Sequence, residues 1–136
     1  MLILEGAQSM LGKRGGASRL RQLGYELDSL PATLLAPEGP VVLVARFDDA
    51  ISGFATISID EARLEMIFVD PARRRRGIGS ALVRAAAEHI RQRSEIPLSV
   101  IVAAGNRGEK SLFEALGYRA ELLLMELRDP KGSSAS

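Results

Sequence analysis

The sequence contains no cysteine and only one histidine, His89. The lack of cysteine excludes disulfide scaffolds, thiolate metal sites and cysteine nucleophiles. A single histidine excludes a metal site built from several histidines and leaves almost no room for a Ser-His-Asp triad. No apolar run approaches the roughly 18 residues that a membrane span needs, and the opening Met1–Leu4 is too short for the core of a signal peptide. We therefore expect a cytoplasmic protein.

Aromatic residues make up only 4% of the chain, and lysine supplies only three of the 18 basic residues. The remaining composition is ordinary for a soluble globular protein, with 46% hydrophobic residues, 26% charged residues and a net charge of +1. A chain of 136 residues has the size of one domain and can bury a core without covalent cross-links. We therefore predict one domain over residues 1–129 and a disordered tail over residues 130–136.

The first 40 residues give mixed signals for secondary structure. The apolar residues 1–5 favour a short strand. Residues 6–23 contain leucines interrupted by glycines, which predicts a short or broken helix because glycine costs a helix interior about 1 kcal/mol relative to alanine. Residues 24–40 hold three prolines and are expected to form mostly loop.

Three strands are predicted in the next segment. The β-branched runs Val41–Phe47 and Ile51–Ile59 lie on either side of Asp48-Asp49-Ala50, which indicates a hairpin. Arg63–Val69 is a third strand, and it ends before Pro71 because proline cannot donate to a strand ladder.

Helices and strands alternate in the rest of the chain. Arg73–Gly79 opens a helix that runs to about Arg93, and the apolar run Leu98–Ala104 is typical of a strand covered on both faces. Asn106–Leu116 is a second helix, whose start resembles a capping box because a glutamate stands three residues after the asparagine. Tyr118–Leu127 is predicted to be the last strand. This order indicates a mixed α/β protein.

The strand, loop and helix start over residues 64–83 carry the strongest chemical signal. Gly77 and Gly79 lack a Cβ atom, so the backbone can turn tightly and a ligand can approach it closely. The first amides of the helix have no partner within the helix and carry the positive end of its dipole, which suits a pyrophosphate. Arg74–Arg76 add attraction for phosphate, whereas Arg73 is interpreted as a surface charge.

Two other phosphate-binding motifs fit these residues less well. A Walker loop needs a lysine followed by serine or threonine after its last glycine, whereas Gly79 is followed by Ser80 and Ala81. A dinucleotide fingerprint needs a third small residue where Leu82 stands, and an acidic residue at the end of a second strand.

Residues 64–83 resemble the signature of the GCN5-related N-acetyltransferase (GNAT) superfamily, in which a strand ending in Val-x-Pro precedes Arg/Gln-x-x-Gly-x-Gly/Ala at a helix start. Arg74-Arg75-Arg76-Gly77-Ile78-Gly79 matches this pattern at each fixed position. A second block, Leu98–Tyr118, resembles the family's strand, asparagine, helix and Gly-aromatic segment. The resemblance covers about residues 41–127. It implies the GNAT fold, an α/β fold with a mixed, mostly antiparallel sheet whose central parallel strand pair is splayed and flanked by helices.

The resemblance also implies an activity and a site. A GNAT enzyme transfers the acetyl group of acetyl-CoA directly to a primary amine of a small molecule or protein, without a covalent enzyme intermediate and without a metal. The pantetheine arm would lie in the splay, hydrogen-bonded to the backbone of Ile67, Phe68 and Val69. The pyrophosphate would bind the start of the helix, and Asn106 and Phe113 would contact the pantetheine arm. The resemblance therefore implies these further cofactor-binding residues: Arg74, Arg75, Arg76, Gly77, Ile78, Gly79, Ser80, Asn106 and Phe113.

Two positions depart from the common GNAT pattern. The tyrosine that often protonates the leaving thiolate, seven residues after the asparagine, is replaced by Phe113. The glutamate that often acts as base, six residues before the strand-ending valine, is replaced by Arg63. Glu65 lies two residues later, on the same face of the strand, and is the best candidate for the catalytic base. Water or residues elsewhere in the chain are the alternatives for both roles.

Other interpretations stay open at this stage. Phe113 would also suit a GNAT domain that binds or senses acyl-CoA without turnover. The arginine run would suit a nucleic-acid-binding module, although no aromatic residue lies among the arginines to stack on bases. Asn106 could serve only as a helix cap, and Glu65 could pair with Arg63 or Arg46.

The acceptor side of the site is weakly marked in the sequence. Tyr25 and Asp28 fall where the acceptor wall is expected, by position alone. The apolar residues Leu122–Met125 would suit an edge strand or the interface of a homodimer. The basic residues near the N-terminus are interpreted as a solvated face: Lys13, Arg14, Arg19 and Arg21.

Overall fold

The computed structural model describes residues 2–74 and 76–128, with Leu27 described by its backbone alone. Arg75 and the predicted tail over residues 130–136 lie outside the described residues. No helix in the described ranges is long and apolar enough to cross a membrane. In chain order the elements are α1 (Leu2–Leu11), α2 (Gly16–Leu23), a 3-10 turn (Leu27–Ser29), α3 (Leu30–Leu35), β1 (Val41–Phe47), β2 (Ala50–Ser58), β3 (Arg63–Val69), a second 3-10 turn (Pro71–Arg73), α4 (Ile78–Arg91), β4 (Ser99–Val100) and α5 (Arg107–Ala115).

The predicted hairpin is confirmed, since β1 and β2 pair antiparallel. Its turn holds Asp48 at φ 52° and Asp49 at φ 61°, in the left-handed region. Aspartate tolerates this region better than most residues because its short side chain can bond to the nearby backbone. Two left-handed residues give a turn whose twist matches that of the strands it joins.

The sheet has the order β1-β2-β3-β4, and the parallel pair lies at one edge. β3 is antiparallel to β2 and parallel to β4. β3 and β4 pair only through Arg63 with Ser99 and Leu64 with Val100 within the described chain. Past Leu64, β3 continues to Val69 without a strand beside it on that edge. The two chain segments therefore part after a short ladder, as the GNAT resemblance implies.

Helices cover both faces of the sheet. α4 and α5 lie on one face, over a core that includes Ile57, Leu64, Leu82, Ile90 and Phe113. α1 and α3 lie on the other face, over a core of Ile3, Ala7, Leu30, Leu34, Phe54, Met66 and Phe68. β3 contributes to both cores, so its position is set by packing from two sides.

The prediction of a strand over residues 1–5 is wrong, because residues 2–5 belong to α1. Ile3, Gly6 and Ala7 are buried, at the spacing of three and four residues that one helix face requires. A short apolar run fits a strand and a buried helix equally well. The prediction of a broken helix over residues 6–23 is confirmed, since α1 and α2 are separate.

The mainly loop interpretation of residues 24–40 is wrong in part, because α3 forms within it. Pro31 stands in the first turn of α3, where proline is tolerated since those amides have no helical partner. Leu30 and Leu34 are buried one helical turn apart, which anchors this short helix.

The predicted last strand does not form. Tyr118–Leu127 shows no regular structure, and Leu122 and Leu127 are 91% and 97% exposed. Instead, Glu126 accepts a hydrogen bond from Ser18 Oγ at 2.7 Å. An apolar run suggests a strand, but a strand also needs a neighbouring edge to pair with. The strand predicted over Leu98–Ala104 likewise shortens to Ser99–Val100.

Candidate functional site

The space between the parting segments forms a groove of about 460 Å³, which we call the splay groove. β3 supplies one wall, α1 and α5 supply the others, and the start of α4 closes one end. The splay groove is lined by Gly6, Ser9, Met10, Lys13, Ile67, Phe68, Val69, Arg73, Arg74, Gly77, Ile78, Gly79, Ser80, Asn106, Gly108, Glu109 and Leu112.

The start of α4 presents free backbone amides to this groove. Gly77 caps the helix with a left-handed φ of 75°, a conformation that favours glycine. The Ala81 amide donates to Gly77 O at 3.0 Å, so the amides before it have no partner within the helix. A Cβ atom on Gly79 would lie 3.3 Å from Leu112 Cδ2. An added Cβ atom on Gly77 would meet nothing within 4 Å, so the backbone is open to a ligand at that residue, and the helix dipole there favours an anion.

Arg74 is held beside the groove by the protein's own groups. Its Nε donates to Val69 O at 3.3 Å, and its guanidinium lies 5.6 Å from the centroid of the Phe68 ring. Such a cation–π contact is worth roughly 0.5–1 kcal/mol at an exposed site. Arg74 therefore adds positive charge to the groove at a defined position.

Arg73 and Arg76 both stack on Phe47, at 5.5 and 5.0 Å from the ring centroid. Arg73 also lies 3.7 Å from Asp48 and lines the splay groove. It is therefore partly buried, in contrast to its interpretation as a surface charge. Arg76 is not among the residues that line the groove.

Asn106 caps α5, as the capping-box pattern predicts. Its Oδ1 accepts from the Glu109 amide at 3.2 Å, and its Nδ2 donates to Glu109 Oε2 at 2.9 Å. Both side chains also line the splay groove. The cap thus fixes two polar side chains at the groove wall.

Burial raises the pKa of Glu109 from 4.5 to about 7, although Arg19 and the bond from Asn106 oppose that rise. The folded protein therefore holds this proton more tightly than the unfolded chain does. The stability that this gives is present in full below about pH 4.5 and is lost as the pH rises through about 7.

Glu109→Gln should therefore gain stability relative to the wild type as the pH rises from 5 to 8. Urea unfolding of both proteins across this range measures the difference in free energy of unfolding. Glu114→Gln is the matched control, because Glu114 lies on the same helix, is exposed and pairs with Lys110 at 3.7 Å. A constant difference between Glu109→Gln and the wild type across the range would contradict the prediction.

Phe113 occupies the position of the common GNAT tyrosine and is 3% exposed. Its ring packs edge-on against Tyr118, with 5.2 Å between centroids. It belongs to the core under α4 and is not among the residues that line the splay groove. A phenyl ring offers no proton to a leaving group in any case.

Glu65 lies at a β-bulge. Thr56 pairs with Met66 and Ile57 pairs with Leu64, so Glu65 has no partner in β2. A bulge interrupts the ladder and changes the direction of a side chain, and bulges are common beside active sites. The bulge follows directly after the last residue that pairs with β4.

Glu65 faces a second, smaller cavity of about 260 Å³, which we call the apex pocket. It lies at the closed end of the splay and is lined by Arg19, Gln22, Leu23, Glu61, Arg63, Glu65 and Ile101. The Tyr25 hydroxyl donates to Glu65 Oε1 at 2.6 Å. Burial, followed by this bond, raises the pKa of Tyr25, so the phenol stays protonated as the donor.

The structure does not pair Glu65 with Arg63 or Arg46 among its described ion pairs. Arg63 instead donates from Nε to Ser99 Oγ at 3.2 Å and from Nη1 to Glu61 at 3.4 Å. Asp28, predicted beside Tyr25 on the acceptor wall, is exposed.

Arg19 overturns the prediction of a solvated basic face at the N-terminus. It is 5% exposed and lines the apex pocket, whereas Lys13, Arg14 and Arg21 are exposed. A sequence pattern gives no signal for a buried arginine, because arginine is charged and usually lies at the surface.

Sequence reasoning also missed the groove wall from α1. A short or broken helix was predicted over residues 6–23, but no local pattern places that helix beside β3. The contribution of α5 to the splay groove could have been predicted from the sequence. Glu109 stands three residues after Asn106, and Leu112 three residues after Glu109, so both project on the same helix face.

A model of the acetyltransferase (GNAT) family matches residues 13–118. The chain belongs to this family. The match includes β3, the start of α4 and α5, which together form most of the splay groove.

Two curated GNAT relatives are similar over part of their length. The chain is 36% identical over 73 residues to the ribosomal protein bS18-alanine N-acetyltransferase of Salmonella typhimurium, covering 52% of this chain and 49% of that protein. It is 35% identical over 98 residues to the mycothiol acetyltransferase of Clavibacter sepedonicus, covering 71% and 31%. The matches thus span about half and a third of these relatives.

Solved structures agree on the fold. The ribosomal-protein-alanine N-acetyltransferase from Brucella melitensis superposes with a TM-score of 0.61 at 20% identity, covering 94% of this chain and 96% of that one. The aminoglycoside N-acetyltransferase AAC(6')-Iy in complex with CoA gives 0.62 at 23% identity, covering 83% and 86%. The GNAT fold implied by the sequence is confirmed.

Proposed function

We propose that this GNAT protein is an acetyl-CoA-dependent N-acetyltransferase that transfers the acetyl group directly to a primary amine. The observation that carries the proposal is the arrangement of two cavities along one strand. β3 lines the splay groove with Ile67–Val69 and the apex pocket with Arg63 and Glu65. A long cosubstrate could therefore lie in the groove while an amine enters the pocket.

The residues of the splay groove fit acetyl-CoA. Free amides at the start of α4 and the positive charges of Lys13, Arg73 and Arg74 suit the pyrophosphate. The edge of β3 past Leu64 offers unpaired backbone groups to the amides of a pantetheine arm. When bound, acetyl-CoA supplies the activated acetyl group. Arg75, Arg76 and Phe113 stay predicted contacts, since the first is outside the described residues and the others do not line the groove.

Glu65 is proposed as the base that takes a proton from the acceptor amine, directly or through water. The Tyr25 hydroxyl orients its carboxylate through the 2.6 Å bond to Oε1, which leaves Oε2 available. A neutral amine is needed because an ammonium ion has no electron pair with which to attack a carbonyl carbon. Much of the acceleration can come from holding the two reactants in place.

The proton for the leaving sulfur is proposed to come from water, because Phe113 cannot donate one. The same observation favours a second candidate function, a GNAT domain that binds acyl-CoA without efficient turnover. Persistent binding of acetyl-CoA with no release of thiol across a broad panel of amines would support that alternative. A nucleic-acid module gains no such support, because three of the arginines stack on Phe47 and Phe68 of the protein itself.

Thermal unfolding with acetyl-CoA, free CoA and ATP tests the proposal. A ligand at about 100 times its dissociation constant adds about 2.7 kcal/mol of stability, which raises the Tm of a domain of this size by several degrees. We expect a rise with acetyl-CoA and with CoA but not with ATP, which lacks the pantetheine arm. No rise with either acetyl-CoA or free CoA would reject the assignment of the splay groove.

A further inference from the structure

The apex pocket is lined by an arginine, Arg19, two of whose three side-chain nitrogen atoms make no hydrogen bond. The Nε and Nη2 atoms of Arg19 are buried and have no hydrogen-bond partner among the described residues. None of the ion pairs within residues 2–74 and 76–128 involves Arg19. Burial accordingly lowers the pKa of Arg19, since the charged form has lost its water. A buried charge without a counterion is unfavourable, which indicates that Arg19 has a binding partner outside the described residues.

The two unused atoms lie on one edge of the guanidinium group. The N–H bonds of Nε and Nη2 run parallel, and this edge matches the two oxygens of a carboxylate. A hydroxyl or carbonyl oxygen would supply a hydrogen bond but would leave the positive charge without a counterion. The chemistry of the edge therefore favours a carboxylate.

The carboxylates of the pocket are already bonded elsewhere. Glu65 accepts the hydroxyl of Tyr25 at 2.6 Å, and Glu61 lies 3.4 Å from Arg63. Both acidic side chains, and Glu109 outside the pocket, favour the charged form of Arg19 without forming an ion pair with it. The missing carboxylate is thus most simply supplied by a ligand.

We propose that the acceptor is a free amino acid, whose carboxylate pairs with the guanidinium group of Arg19 while its amine approaches Glu65. This inference rests on the proposed acetyltransferase function. Both residues line the same cavity, and its volume of about 260 Å³ suits a molecule of amino-acid size. An amine without a carboxylate would leave Arg19 unpaired.

The chemical balance of this transfer is simple. The ammonium group gives one proton to Glu65, which later releases it to solvent. The amine nitrogen then forms a bond to the acetyl carbonyl carbon, and the bond from that carbon to sulfur breaks with its electron pair on sulfur. The second amine proton is lost through water and a proton reaches the sulfur. The products are the N-acetyl amino acid, CoA and one proton in solution.

Matched pairs of acceptors test the role of the carboxylate. The common amino acids are each assayed beside their amides, and lysine and arginine also beside cadaverine and agmatine, by release of thiol from acetyl-CoA. For the preferred amino acid, kcat/KM should exceed that of its uncharged partner roughly 10- to 100-fold, as the loss of a paired ionic hydrogen bond implies. Equal rates within every pair would overturn the proposal.

Variants of Arg19 assign the preference to this side chain. Arg19→Met should remove the preference for the carboxylate, and Arg19→Lys should keep only part of it because lysine lacks the two parallel donors. Arg21→Met is the matched control and should keep the full preference. Arg21 lies on the same helix but is exposed and pairs with Glu126 at 3.1 Å.

Unfolding of the variants separates a binding role from a structural one. Without an acceptor, Arg19→Met should unfold at the same or a higher temperature than the wild type, because it removes an unpaired buried charge. A clear fall in Tm would mean that the protein itself satisfies Arg19 and would overturn the proposal.

Failure of the proposed function and failure of the amino-acid acceptor give different experimental results. If acetyl-CoA does not raise the Tm of the wild type, the proposed function fails. If acetyl-CoA does raise it, but no free amino acid reacts or raises the Tm further, the amino-acid acceptor alone is wrong.

Discussion

Gly79→Asp should weaken the binding of acetyl-CoA at least about 100-fold while the protein stays folded. The new carboxylate would stand at the start of α4, where the pyrophosphate is proposed to bind. Two like charges about 4 Å apart repel by about 4 kcal/mol near a protein surface. The same carboxylate is favourable to the helix, because acidic groups in the first turn complement its dipole. The loss should therefore appear in binding and not in stability.

Two further substitutions separate charge from bulk at this position. A Cβ atom on Gly79 would lie 3.3 Å from Leu112 Cδ2 and 3.8 Å from Val69 Cγ2, so a small shift accommodates it. Gly79→Ala should bind within a few fold of the wild type, and Gly79→Asn should lose less affinity than Gly79→Asp. Calorimetric titration with acetyl-CoA measures all three. Equal losses for the aspartate and asparagine variants would refute an electrostatic cause.

Glu65→Gln should lower kcat about 100- to 1000-fold near neutral pH, within the range that a lost general base produces. Glutamine keeps the shape of the side chain and can still accept the Tyr25 hydroxyl, so the pocket should be preserved. The loss should be larger at low pH, where the acceptor is almost all ammonium, and smaller at high pH, where solvent supplies the neutral amine.

The pH profile of kcat decides this prediction, with Tyr25→Phe as the control. That variant removes the 2.6 Å hydrogen bond but leaves the carboxylate, so it should cost only a few fold. The affinity for acetyl-CoA should be unchanged in both variants. If Glu65→Gln turned over at the wild-type rate across the whole profile, another group or water would be the base.

The elements that the sequence predicted well are those whose signals are local. The hairpin of β1 and β2 was visible because two β-branched runs meet at a pair of aspartates, and both aspartates take the left-handed conformation. The cap of α5 was visible because Asn106 and Glu109 are three residues apart and bond to each other. The tight turn at the glycines that begin α4 was also predictable from the sequence, because a tight turn is determined by a few neighbouring residues.

The features that were missed depend on contacts between distant parts of the chain. The segment Tyr118–Leu127 has the composition of a strand, but pairing depends on an edge that the sequence does not specify. The apex pocket, which is proposed to bind the acceptor, was anticipated only at Tyr25 and Glu65. The contribution of α2 was not predicted, because its buried face carries the charged Arg19. The bulge at Glu65 also escaped prediction, since it is defined by the register of β3 against β2.

The short ladder between β3 and β4 limits how another protein chain can pair with this edge of the sheet. An open strand edge is a template on which another chain can add a strand, and this is a common route to aggregation. Among the residues that the structure describes, β3 and β4 pair only at Arg63–Ser99 and Leu64–Val100. A straight strand cannot follow both edges once they part, whereas a thin flexible chain can lie between them. The gap between β3 and the segment after β4 therefore leaves backbone groups accessible to a slender ligand but not to a strand of a neighbouring protein.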